Sequence, residues 1–253
     1  MKHSGNTILI TGGGTGIGRG IAEALHALGN QIIITGRRKQ ALDETTAANP
    51  GMKSFQFDIQ DPAAIRAFAA RVIAEYPTLN VLMNNAGIMR PEDLLAQQDD
   101  LEDAEATVAT NLLAPIRLTA ALLPLLMKQP QATILNVSSG LAFAPLVLTP
   151  TYSATKAAIH SYTESLRYQL RKTQIEVLEL VPPYVATHLM GGYDDPRAMP
   201  LDKFLAEAMG ILLSEPTPLE ICVDTVKPQR FSVENGKYKA IFAAINGARP
   251  DGH

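Results

Sequence analysis

Short runs of β-branched and aliphatic residues recur along the chain: TILIT (7–11), QIIIT (31–35), KSFQF (53–57), LNVLMN (79–84), ATILNV (132–137) and IEVLELV (175–181). Most are apolar from end to end rather than alternating, which predicts strands buried on both faces, as in a parallel sheet. Helical patterns fill the intervals, over roughly 17–28, 38–48, 62–75, 102–127 and 152–172. Strand and helix alternate, so the pattern predicts an α/β fold, a doubly wound parallel sheet with helices on both faces. No repeat or linker interrupts it before about residue 182. After Pro182-Pro183 the texture changes to Gly, Pro and Asp over 191–200, then a helix candidate near 201–213 and a proline-broken tail. The expectation is a single domain over 1–253, with a substrate loop or lid at about 188–213 and a divergent tail from about 214.

The first strand runs straight into GGGTGIG and then into a helical pattern. Gly12, Gly14, Thr15, Gly16, Ile17 and Gly18 therefore sit at a strand-to-helix turn, where glycine permits tight turning and brings backbone N–H groups at a helix N-terminus close to a pyrophosphate. An isolated glycine turn would be only a flexible connection. Its place in the first βα unit of an alternating chain makes it a dinucleotide-site candidate.

Composition narrows the partners. A net charge of −3 over 253 residues gives no general grip on nucleic acid or an anionic membrane, so neither is expected as a partner and a small molecule is. The longest apolar runs read as too short for a membrane span, and the start has no signal-type apolar stretch. Cys222 is the one cysteine, which fits a reducing, cytoplasmic setting, and the five histidines show no metal-ligand spacing, so no metal is expected.

The spacing TGxxxGxG from Thr11 to Gly18 resembles the short-chain dehydrogenase/reductase family, and the resemblance extends over residues 7 to about 188. Asn84-Asn85-Ala86-Gly87 is similar to the family's NNAG motif, which implies that Asn85, Ala86 and Gly87 steady the sheet and line the cofactor ribose. Asp58-Ile59 resembles the stretch that meets the adenine; as a bare sequence feature, Asp58 also reads as an N-terminal helix charge ahead of Pro62. The stretches LNVLMNNAGI, SSGLAFAPL and ATKAAIHS are similar to DltE-like oxidoreductases, a subgroup name that implies no substrate. The family's fold is the Rossmann fold.

Two Tyr-Lys pairs stand four residues apart, Tyr152 with Lys156 and Tyr168 with Lys172. A crossover helix begins at the edge where such sheets bind ligands. Tyr168 lies 16 residues further along, about 24 Å at ~1.5 Å per residue, so the second pair cannot share the site. Tyr152 and Lys156 face the same way on the first turn, where an ammonium lowers the phenol's pKa. The resemblance then implies Ser139 as the residue holding the substrate oxygen and Asn111 as the fourth catalytic position, supporting a proton relay to Lys156. The four imply hydride transfer between a nicotinamide and a carbonyl or secondary alcohol, with Tyr152 as general acid/base and Tyr152 and Lys156 also contacting the cofactor. The alternative is a nicotinamide-sensing protein without turnover.

Cofactor choice is read at QIIITGRR. An NAD enzyme of this kind carries Asp or Glu where Gly36 stands, whereas Arg37 and Arg38 suit a 2′-phosphate. NADP(H) is therefore expected over NAD(H); Arg37 also reads as a solvated charge opening the next helix. Pro182, Val185 and Thr187 fall in register with the family's nicotinamide-binding stretch, but Pro183 replaces the usual glycine. Leu141, Phe143, Pro145, Leu146, Tyr184, Leu189 and Met190 are candidates for an apolar pocket. The apolar surplus in 104–127 and the small residues Ala154, Ala157, Ala158, Ser161 and Ser165 predict a four-helix interface in a homodimer or homotetramer.

Overall fold

The computed structural model describes residues 1–96, 101–189 and 195–247. Met190, read above as a pocket wall, and part of the expected lid lie outside these residues. Seven strands form one sheet: β1 (Thr7–Thr11), β2 (Gln31–Gly36), β3 (Lys53–Gln56), β4 (Leu79–Asn84), β5 (Ala132–Val137), β6 (Ile175–Val181) and β7 (Glu220–Cys222). Their order is β3-β2-β1-β4-β5-β6-β7, and every pairing is parallel.

The helices are α1 (Gly16–Ala27), α2 (Lys39–Ala48), α3 (Pro62–Glu75), α4 (Glu102–Val108), α5 (Ala114–Leu126), α6 (Pro150–Leu170), α7 (Leu201–Leu212), α8 (Lys227–Arg230) and α9 (Tyr238–Asn246). Alternate strand residues feed two cores because successive side chains point to opposite faces. Ile8, Ile10, Ile32 and Ile34 join Ile21, Leu25 and Phe204 on one side. Leu9, Ile33 and Leu82 join Ile65, Phe68, Leu118 and Leu122 on the other. Asp61 accepts from the Ala63 N–H and Pro62 occupies the first turn, so α3 starts on its own signals.

Four expectations change. The helix read over 102–127 is interrupted by a π-helical turn at Ala109–Leu113. Counted as one segment, Glu102–Leu126 is also long and apolar enough to cross a membrane, contrary to the reading of short apolar runs; Leu118, Leu122 and Leu126 in it are nevertheless fully buried against the sheet. The 201–212 part of the expected lid is core: Phe204 is fully buried, and Leu205 packs so tightly on α1 that a Cβ at Gly20 would meet its Cδ1 at 2.2 Å. The tail is less irregular than its prolines suggest, since LEICVD supplies β7 beside β6 and α9 returns over the loop after β5.

Candidate active site at the carboxyl edge of the sheet

The sheet order reverses between β1 and β4, and their carboxyl ends carry the glycine loop and the Asn84–Gly87 stretch. The two are tied together. The Thr11 hydroxyl accepts from the N–H groups of Asn85 and Ala86, each at 3.0 Å, and Asn85 Nδ2 donates to the Thr11 and Gly12 carbonyls at 2.9 and 3.3 Å. Gly12 has φ 67°, and a Cβ on it would lie 3.0 Å from Ala86 Cα; a Cβ on Gly18 would lie 2.4 Å from Asn85 Nδ2. Glycine is required there by contact, not only by the turn.

The start of α1 suits an anion. Thr15 at its N-cap makes no side-chain capping bond, and the first turn holds no acidic residue. Its N–H groups and dipole therefore face the edge beside half-buried Thr15, Gly16 and Ile17, the geometry that fits a pyrophosphate. Arg38 Nη2 donates to Thr15 Oγ1 at 2.9 Å, adding a guanidinium to the same place. Arg37 is exposed one residue earlier, its carbonyl held by Gln56 Nε2 at 2.9 Å. Gly36 has room: a Cβ there would meet only Leu42 Cδ2, at 3.7 Å.

Asp58 is exposed at the end of the third βα connection and accepts from the Gln60 N–H at 2.9 Å. It is Asp61, not Asp58, that caps α3. Ile59 is 8 % exposed and packs in the core, so only its backbone faces the edge. Val185 bridges to Met199, Pro182 accepts from the Gly140 N–H at 2.9 Å, and Thr187 Cγ2 would sit 3.4 Å from a Cβ on Gly16. The 182–187 stretch thus faces the glycine loop across the edge.

Ser139, Tyr152, Lys156 and Asn111 converge beside it, all buried. Ser139 stands two residues after β5 and accepts from the Leu141 N–H at 3.1 Å. Its hydroxyl acts on the buried Tyr152 phenol in the direction that favours the phenolate. Asn111 sits in the π turn and uses both ends of its amide: Oδ1 accepts from the Ile88 N–H and Nδ2 donates to the Ile88 carbonyl, each at 2.9 Å. A Cβ on Gly87 would lie 3.5 Å from Asn111 Oδ1 and 3.8 Å from Lys156 Nζ, so the Asn85-Ala86-Gly87 turn, the π turn and α6 meet at one point.

The electrostatics differ from the expectation for the Tyr-Lys pair. Lys156 Nζ donates to the Val137 carbonyl at 2.8 Å and lies 5.5 Å from the Tyr152 ring centre. Burial dominates both groups. It pushes the Tyr152 phenol up to about 12, against the influence of the Ser139 hydroxyl, and pushes the Lys156 ammonium down to about 8, against the negative charge of Glu179. The phenol therefore stands as an acid over the neutral range. Tyr168, by contrast, is exposed and stacks under Arg171 at 3.7 Å, away from the site.

A short-chain dehydrogenase family model matches residues 6–197. The chain belongs to the short-chain dehydrogenase family. As a short-chain dehydrogenase it is a nicotinamide-dependent oxidoreductase with a Rossmann fold. It is 46% identical over 189 residues to the uncharacterized oxidoreductase DltE of Bacillus subtilis, covering 75% of each chain. It is also similar to a short-chain dehydrogenase from Sphingobium yanoikuyae in complex with NADPH, with TM-score 0.80 and 26% identity, covering 96% of this chain and 98% of that one. A 3-ketoacyl-(acyl-carrier-protein) reductase from Brucella melitensis complexed with NADH aligns with TM-score 0.76 and 26% identity, covering 85% and 93%.

Several residues at this short-chain dehydrogenase site carry little or no sequence signal. Glu92 accepts from Thr151 at the start of α6, Asn246 bonds Pro145 and Val147 across about a hundred residues, and Glu179 lies fully buried under α6. The interruption of an apolar strand by Glu179 was the one visible hint. Of the candidate pocket walls, Phe143 meets His160 edge to face with ring centres 4.7 Å apart and packs against the core, whereas Tyr184 and Leu189 remain exposed beside the edge.

Proposed function

We propose that this protein is an NADP(H)-dependent reductase of a small carbonyl compound, with Tyr152 as the general acid. The observation that carries the reading is the convergence of buried Ser139, Tyr152 and Lys156 with Asn111 at the edge that also holds the glycine loop. Bound nicotinamide supplies the hydride. Ser139 holds the substrate oxygen and Tyr152 delivers the proton to it, the role favoured by a phenol that burial keeps protonated. Lys156 holds the ribose next to the nicotinamide and places a positive charge near the oxygen as the Tyr152 proton leaves. Asn111 holds the 88 backbone and the π turn in register with α6, through Thr155 Oγ1 at 3.2 Å.

NADP(H) is favoured over NAD(H) by Arg37 and Arg38 at the end of β2, by Gly36 in place of an acidic residue, and by the NADPH of the Sphingobium relative. The Brucella reductase carries NADH on a similar architecture, which supports assigning the choice to these side chains. Assembly follows from the outer face of α4–α6: Ala154, Ala157, Ser161 and Ser165 are exposed there with Leu113, a surface suited to a homodimer or a homotetramer built from it.

The test is a panel of aldehydes, ketones and secondary alcohols with both nicotinamides, followed by absorbance of the reduced cofactor. NADPH-dependent reduction is the expected result. Binding of NADPH with no turnover of any carbonyl, by wild type and by Tyr152→Phe alike, would leave a cofactor-binding protein instead.

A further inference from the structure

Beneath the site, on the side of the sheet covered by α6, lies a carboxylate that the proposed chemistry does not use. Glu179 in β6 has no exposed surface. Ser138 Oγ donates to its Oε1 at 2.5 Å, and His160 Nδ1 lies 3.1 and 2.9 Å from its two oxygens. Ser138 bonds the carboxylate and not the imidazole, so the three do not form an activated-serine arrangement. A buried carboxylate is costly unless paired; the Ser138 hydroxyl is neutral, and His160 is a counter-charge only while protonated, the form that its contact with Glu179 favours.

Lys156, on the same helix as His160, brings a second cation to this part of the sheet. Glu179 pairs in register with Asn136, and Ser138, two residues on, bonds its carboxylate. The residue between them is Val137, whose carbonyl receives the Lys156 ammonium. On the helix side, His160 is one turn after Lys156 on α6. Lysine and glutamate therefore approach one strand residue from two sides, inside a low-dielectric layer where charges act over longer range than at a surface.

We propose that Glu179 is the buried counter-charge of Lys156, a positioning residue that keeps the ammonium available to the cofactor ribose and to Tyr152. The role rests on the reductase reading above. The other charged or titratable groups around the pair are Tyr152, His160 and Glu164 from α6, Glu220 and Cys222 from β7, and Arg230 with Glu234 from the tail. Arg230 is already held by Glu220 and Glu234, at 2.5 and 2.7 Å, so it does not serve Glu179 as a direct partner. Burial of Lys156 works against its charge and Glu179 works for it. Neutralising Glu179 must then lower the pH at which Lys156 loses its proton.

The direct reading is a pH titration of protein labelled with ¹³C at the lysine ε-carbon, with the Lys156 resonance assigned by its loss in Lys156→Arg. Glu179→Gln keeps the shape and an acceptor for Ser138 and removes the charge; its Lys156 midpoint is expected to fall by roughly one pH unit or more. Glu179→Asp, which keeps the charge, is expected to stay near wild type, whereas a purely structural role would move neither midpoint. If Glu179→Gln does not fold by circular dichroism, the double variant Ser138→Ala/Glu179→Leu removes the carboxylate with its hydroxyl partner and is read the same way. An unchanged midpoint in a folded neutral variant overturns the proposal. A second arm measures NADPH affinity against pH by fluorescence. The alkaline loss should begin about one unit earlier in Glu179→Gln, and Glu179→Gln should add nothing to Lys156→Ala, since the effect passes through that lysine. The midpoint needs neither cofactor nor turnover, so an inactive protein with a shifted midpoint would sink the reductase reading alone, and an active one with an unshifted midpoint would sink this inference alone.

Discussion

Glu92 closes the N-terminus of the helix that carries Tyr152: its Oε1 accepts from the Thr151 N–H at 3.0 Å and its Oε2 from the Thr151 hydroxyl at 2.7 Å. Helix α6 has no cap of its own, because Thr149 makes no side-chain capping bond and Pro150 lacks an N–H. A carboxylate from the loop after β4, 59 residues away, takes the place of a local cap and meets the positive end of the helix dipole. Glu92→Ala should therefore lower stability by about 1 kcal/mol and reduce kcat, with little change in cofactor affinity, while Glu92→Gln keeps part of both. Thermal melts and steady-state kinetics of the two variants check it; equal kcat in Glu92→Ala and wild type would disprove the coupling to Tyr152.

Tyr152→Phe removes the proton-transferring hydroxyl and leaves the ring, so turnover should drop by a factor of at least about 10²–10⁴ while NADPH still binds. Tyr168→Phe alters an exposed residue that only stacks with Arg171 and should leave the rate nearly unchanged. Kinetics and cofactor titration of both variants make the comparison. Wild-type rates in Tyr152→Phe would rule out the mechanism.

The pH profile has a definite sign. Burial pushes the Tyr152 phenol up to about 12, so the acid stays protonated through the neutral range, whereas the Lys156 ammonium is lost as pH rises through about 8. Carbonyl reduction should hold level below that pH and decline above it, with cofactor affinity falling over the same interval. Initial rates and NADPH titrations between pH 6 and roughly pH 10 read the effect directly. A rate that kept rising through that range would contradict it.

For the cofactor, both arginines at the end of β2 are expected to matter. Arg37→Ala should weaken NADPH far more than NADH, and Arg38→Ala should do the same while also freeing Thr15. Hydrogen bonds to charged groups contribute ~1.5–3 kcal/mol, which corresponds to about a tenfold to hundredfold loss of NADPH affinity. Gly36→Asp has steric room and should shift preference toward NADH. Titrations with both reduced cofactors decide it, and equal losses for the two would remove the 2′-phosphate role.

Light scattering at micromolar concentration should give a dimer or tetramer mass. Ala157→Arg, on the exposed small-residue face of α6, should shift it toward monomer. A wild-type monomer would leave that face without a partner.

Much of this molecule is determined by local pattern. Continuous apolar runs such as TILIT and ATILNV have only one place to go in a folded chain, between two layers of helices, and all six of the strands read from such runs form where the pattern puts them. The glycine loop is legible for a similar reason: close backbone approach excludes any Cβ, and Asn85 against Gly18 is that approach. The short spacing from Tyr152 to Lys156 is local too. What only the tertiary structure decided are the long-range polar contacts and the balance of charge. Glu92 on Thr151, Asn246 on Pro145 and Glu179 under α6 join residues distant in sequence, and no periodicity records them. The Tyr152 phenol moved against expectation because spacing reveals a neighbouring lysine but not the loss of water around both groups. Desolvation is a property of everything packed around a side chain, and it exists only once the chain has folded.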